Sequence, residues 1–193
     1  MILFTNKFIK DLFWSGIFII FYYFLTHNSL TYPIPKISIG LWSIEKLQRP
    51  LVFRLAGHNY FALRNSKGEI VSELHGLATN AETNKWTYVG TGNGELLKVW
   101  EFSTSIFGET NTILPGIVIN KGDEKSVRLL WEKARVCGNL INQKNIPYPP
   151  FGVKMYETEN SNAVAYTLAK CMGIETKRIG IIIPGEKTDL LTK

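Results

Sequence analysis

Apolar positions change rhythm several times along the 193-residue chain. An uncharged run, LFWSGIFIIFYYFL, fills positions 12–25. Further on, VFRLAGHNYFALR (52–64) and EIVSELHG (69–76) alternate in the two-residue period of a strand, and the intervening NSKG is a hairpin-turn signal. WTYVG (86–90) and LLKVWEF (96–102) predict a second strand pair around GTGNG, and GIVIN (116–120) a further short strand. The period then switches. Val127, Leu130, Trp131, Ala134, Cys137 and Leu140 or Ile141 recur at helical spacing, predicting a helix over 126–143. The Pro-rich stretch after it breaks that helix. A second helix is predicted over about 160–172, stopped at Gly173, and IGIIIPG predicts a last strand and turn. The stretch 31–50 holds Pro33, Pro35 and Pro50 around GLWSIEKLQ. It reads as a stiff linker with about two helical turns, so the folded domain is expected over 51–193. These elements make an α+β domain, a small antiparallel sheet packed against two main helices.

The first thirty residues stand apart. Lys7 and Lys10 precede the apolar run, no small-residue cleavage step follows it, and the segment is crowded with Phe, Tyr and Trp. A stretch from Phe8 to Leu25, with Lys10 reaching back to the interface, approaches the ~20 residues of a spanning helix. Residues 1–30 are therefore read as an N-terminal membrane anchor, with a cleaved signal segment as the alternative. Lysines before the run place the remainder on the extracytoplasmic side.

Composition narrows the function classes. Hydrophobic residues make up 45% and charged residues 20%, a globular balance. Lys plus Arg exceed Asp plus Glu by 22 to 16, but no basic run concentrates the charge, so nucleic acid is not an expected partner. Two cysteines exclude a disulfide scaffold and a four-cysteine zinc site. Cys137 and Cys171 each fall on the inward stripe of a helix and could form one disulfide in an exported domain. GTGNG leads into a strand and lacks the Gly-Lys-Ser/Thr ending, which makes it a turn and not a phosphate loop.

The candidate chemistry begins with the three histidines. His27 adjoins the apolar run. His58 and His75 lie on the two strands of the first hairpin. With NSKG as a four-residue loop, Arg64 faces Glu69 and His58 falls opposite His75. His58, Tyr60 and Ala62 then share a face with His75, Glu73 and Val71, while Phe61 and Leu63 meet Leu74 and Ile70 on the other. A one-residue slip would mix these faces, so the apolar pattern selects this register. Asn160-Ser161-Asn162 opens the last helix, where Ser161 shares the core-facing stripe of Val164, Leu168 and Cys171. Free N–H groups and the helix dipole there favour an oxyanion. Asn and Ser are also ordinary N-caps. His58, His75 and Glu73 could supply three metal ligands, but no second cluster or His-Glu-x-x-His spacing supports this, and no metal or other cofactor is expected.

GHNYFALRNSKGEIVSELHGLA resembles the two-histidine hairpin of circularly permuted papain-like enzymes, the NlpC-like, lecithin:retinol acyltransferase-like and PPPDE-type branches. NSNAVAYTL resembles their Asn-Cys helix start, with Ser161 in place of the catalytic Cys and Val164 in place of an aromatic. The resemblance covers about forty residues. It implies a hydrolase or acyltransferase acting on an amide or ester, and the expected membrane tether and extracytoplasmic location point to cell-wall peptide or lipid as substrate. Ser161 would be the nucleophile, His58 the base and His75 its orienter. Glu73, Tyr60, Asn160 and Asn162 are secondary candidates. The replacement of Cys by Ser equally implies a silent envelope module of the same fold, binding peptide, glycan or protein.

Overall fold

The computed structural model describes residues 33–36, 39–51, 56–88, 90–106, 114–152, 158–179 and 183–192. The predicted anchor lies outside these residues. No helix among those described is long and apolar enough to cross a membrane.

Among the described residues, six strands and two long helices make an α+β fold: β1 (Trp42–Leu51), β2 (Ala56–Arg64), β3 (Ile70–Asn80), β4 (Trp86–Thr87), β5 (Glu95–Phe102), β6 (Gly116–Gly122), α1 (Glu124–Gln143) and α2 (Ser161–Cys171). The sheet is antiparallel in the order β4-β3-β2-β1-β6, with β5 on the opposite edge of β3. Both helices are capped from within the sequence. Asp123 accepts the Ser126 N–H at the start of α1, and Asn160 accepts the Asn162 and Ala163 N–H groups at the start of α2.

Two expectations are corrected. Positions 42–51 are not linker or helical turns but β1, a central strand between β2 and β6, so the sheet begins before Leu51. Its buried Glu45 is held by Arg64 at 2.8 Å and its buried Lys46 by Glu186 at 3.5 Å, distant partners that no local signal reveals. β4 and β5 do not pair with each other; each pairs with β3. The turn expected at the end of IGIIIPG is present at Pro184 and Gly185, and the strand expected before it falls on 180–182, outside the described residues.

The first hairpin also differs in register. Phe61 faces Leu74, Ala62 faces Glu73 and Leu63 faces Ser72, with a bulge before Arg64. The cause is the turn. The Asn65 side chain accepts from both Lys67 and Glu69 N–H, and Asn65 N–H bonds Glu69 C=O, so Arg64 faces Ile70 rather than Glu69. The slip is two residues, an even number, so each side chain keeps its expected face.

The core lies between one face of the sheet and the helices. Phe61, Leu63, Leu74, Ala78 and Leu97 pack with Val127, Trp131, Ile141, Val164 and Leu168. A disulfide, Cys137–Cys171, ties α1 to α2 with a Cα–Cα distance of 6.5 Å. On the far face Leu47, Tyr60 and Ala62 form a smaller cluster with Ile70 and Leu114.

Candidate functional site

Strand alternation positions the histidines. Glu73 and His75 leave β3 on the far face, and His58 and Tyr60 leave β2 on the same side. His58 Nε2 lies 3.0 Å from His75 Nδ1, and His75 Nε2 lies 3.0 Å from Glu73 Oε2. Because of the register, the ring beside His75 is Tyr60, stacked at 4.2 Å, and His58 reaches His75 from further along β2. Phe102 closes the group edge-on at 5.7 Å. The Ile106 N–H donates to Glu73 Oε2 at 3.2 Å, while the buried Glu73 Oε1 has no hydrogen-bond partner.

With Glu73 as the terminal acceptor, the chain has one consistent direction. His75 donates from Nε2 to the carboxylate, and His58 donates from Nε2 to His75 Nδ1. Both rings are then neutral. Burial favours that state: His58, His75 and Glu73 are 2%, 0% and 0% exposed. The His58 pKa is held well below its ordinary value, first by burial and then by His75 and the Arg49 charge. The His75 pKa is also lowered by burial, with Glu73 opposing. Burial and the Glu73 charge raise the Tyr60 phenol. The Glu73 carboxylate, accepting from His75, can orient and polarise the imidazole pair.

Ser161 is placed elsewhere. It is the first residue of α2, and its Cα packs against Gly76, where a Cβ would come within 3.0 Å of it and 2.7 Å of Val164. Gly76 therefore faces the helices, and its neighbour His75 faces away. The Tyr148 phenol lies beside the Ser161 hydroxyl, and its pKa is pushed up to about 12 by burial, with Ser161 opposing. Ser161 is 6% exposed. The structure thus brings His58, His75, Glu73 and Tyr60 together and places Ser161 on the opposite side of β3.

The flanking asparagines act as fasteners. β3 pairs with β2 along its first half and with β4 at Ala78 and Thr79, which leaves a splay between β2 and β3. Near this splay, Asn162 Oδ1 accepts the Asn59 N–H at 3.0 Å. Asn160 Nδ2 donates to Gly152 and Pro184 C=O, and Asn162 Nδ2 also donates to Pro184.

No family model matches the chain, and neither does any curated protein or any solved structure. The papain-like resemblance therefore rests on residue pattern and element order.

Two neighbours of the site were missed from sequence. Arg49 lies opposite His58 on β1, and Tyr148 holds Ser161. Reading 31–50 as linker hid the first, and only the folded chain brings the second to α2. Among the described residues no group of three or more His, Cys, Asp or Glu has the geometry to hold a metal ion.

Proposed function

We propose that this domain is an extracytoplasmic, membrane-tethered binding module with a papain-like arrangement of elements and no acyl-transfer chemistry of its own. One observation carries the reading: α2, with the Ser161 backbone, packs on the Gly76 face of β3, opposite the face that holds the His58–His75 pair, with the Tyr148 phenol beside the serine. A serine nucleophile depends on a base within hydrogen-bond reach. The Cys137–Cys171 disulfide supports an oxidising compartment. The apolar run at 8–25, preceded by lysines, supports the tether and its orientation.

The test is labelling of the full chain with a serine-reactive phosphonate. No modification of Ser161 is expected, and Ser161→Cys should not gain reactivity toward an acyl probe. Labelling of Ser161 that disappears in His58→Ala would overturn the reading and restore the hydrolase or acyltransferase acting on cell-wall peptide or lipid. One observation favours that second reading: Glu73–His75–His58 is the hydrogen-bond order by which a carboxylate orients and polarises a base. It requires the hydroxyl to leave Tyr148 and pass through the splay between β2 and β3.

A further inference from the structure

The outer strands of the sheet end differently. The outer edge of β5 is covered by its own chain. Leu97 N–H bonds Ile146 C=O, Tyr148 N–H bonds Glu95 C=O, and the Asn142 side chain takes both the N–H and the C=O of Val99. Among the described residues β6 has less cover. Gly116 N–H bonds Pro33 C=O at 2.8 Å, and among the described residues no other backbone bond reaches its outer side. Pro33 and Pro35 run alongside without N–H groups, so they cannot continue a ladder. A groove of about 660 Å³ remains, lined by 33–36 and 116–121. Gly116 keeps it close, since a Cβ there would strike Leu47 and approach Pro35. Apolar Ile34, 60% exposed, faces solvent on one wall, and Ile117 and Val118 are half-buried on the other.

We propose that this groove takes an extended acidic peptide segment of a partner protein as an added strand on β6. The proposal names a partner for the binding-module reading and rests on it, but it uses none of the residues around Ser161. Strand addition fits because an edge offers backbone groups at strand spacing while flanking pockets take alternate side chains. Acidity follows from charge. The charged side chains lining the groove are Lys36 and Lys121, and neither has an ion-pair partner among the described residues. A second copy is disfavoured by the same charges. Antiparallel pairing of two β6 strands would carry each Lys121 toward the other copy's basic groove.

The test uses the full chain in mild detergent with the capped peptide Val-Glu-Val-Asp-Val-Glu as probe. Saturable binding is expected, with amide shifts confined to 116–121 and to 33–36. Lys36→Glu with Lys121→Glu should weaken it about tenfold, with a matching loss on raising salt. N-methylation of alternate peptide amides, or Val118→Pro in the protein, should abolish it. The N-methyl peptide keeps the test decisive if Val118→Pro does not fold. Absence of binding, equal binding of a Val-Lys-Val-Lys-Val-Lys peptide, or indifference to N-methylation would overturn the proposal. So would a dimer that Val118→Pro converts to monomer, which would assign the edge to a second copy. These outcomes are independent of Ser161 labelling, so a failure here is separable from a failure of the non-catalytic reading.

Discussion

On the helix side of the sheet, Phe61, Leu63, Leu74 and Ala78 meet Val127, Trp131, Val164 and Leu168, and a disulfide joins the two helices behind them. On the far side Tyr60, Glu73, His75 and His58 meet one another through ring stacking and two 3.0 Å hydrogen bonds. Both sides are dry, but they are stabilised by different means. Each fully buried aliphatic or aromatic side chain on the helix side contributes about 1.5–3 kcal/mol by leaving water. The far side gains less from burial, because polar groups taken from water must recover their hydrogen bonds inside the protein. The lesson concerns the functional reading. The carboxylate–imidazole–imidazole chain fills a buried layer on one face of β3, while α2 and the Ser161 backbone pack on the other.

Breaking the helix side should have the largest effect. The bridge spans 34 positions of sequence, and replacing both Cys137 and Cys171 by Ser should lower unfolding free energy by about 4 kcal/mol on the chain-entropy account. Denaturant titration reads this directly, and an unchanged midpoint would show that the bridge is dispensable. Breaking the far side comes next. His75→Ala opens a cavity and strands Glu73 and His58, an expected loss of about 3 kcal/mol. A loss well under 1 kcal/mol would show that the layer is not structural.

The third prediction sharpens the contrast at the head of α2. Asn160 caps the helix and holds Gly152 and Pro184, so Asn160→Ala should cost about 2 kcal/mol. Ser161→Ala removes one hydrogen bond and should cost about 1 kcal/mol or less. The reverse order in thermal melts would mean that Ser161 is held for more than its bond to Tyr148.

The smallest effect is graded with pH. His58 and His75 have folded pKa values below the ordinary 6.5, so the unfolded chain binds more protons in that window. Their contribution is fully present above about pH 6.5 and is lost as pH falls through that value toward the folded pKa. Each histidine held neutral contributes a slope of about 1.4 kcal/mol per pH unit. His58→Gln should reduce the slope between pH 6.5 and 5, and an unaltered slope would show that His58 titrates freely in the folded state.

Much of this architecture is legible before folding. The period-2 pattern assigns Phe61 and Leu63 to the apolar face and His58, Tyr60 and Glu73 to the other, and it survives a register slip because the slip is even. The helices announce themselves through Val127, Trp131, Ala134 and Ile141, and the second through its Asn160 cap, whereas the Asp123 cap of α1 emerges only in the structure. β1 does not. Its inward positions include Glu45, Lys46 and Gln48, whose partners Arg64, Glu186 and Asn59 are 11 or more residues away. Three prolines around an apparently polar stretch then read as linker.

By itself the sequence determined an α+β domain, two helices with one of them capped by Asn160, the face each hairpin residue occupies, and two inward cysteines in positions to meet. These properties follow from local periodicity and from side chains that satisfy their own helix ends. Tertiary structure alone decided which face of the hairpin the helices cover, and with it the separation of Ser161 from the imidazoles. It also decided that β1 fills the centre of the sheet and that β6 lies at one end of the strand order. The physical reason is that alternation fixes which side chains share a face, but only long-range packing, here the approach of α2 to the bare backbone of Gly76, chooses which face becomes the core.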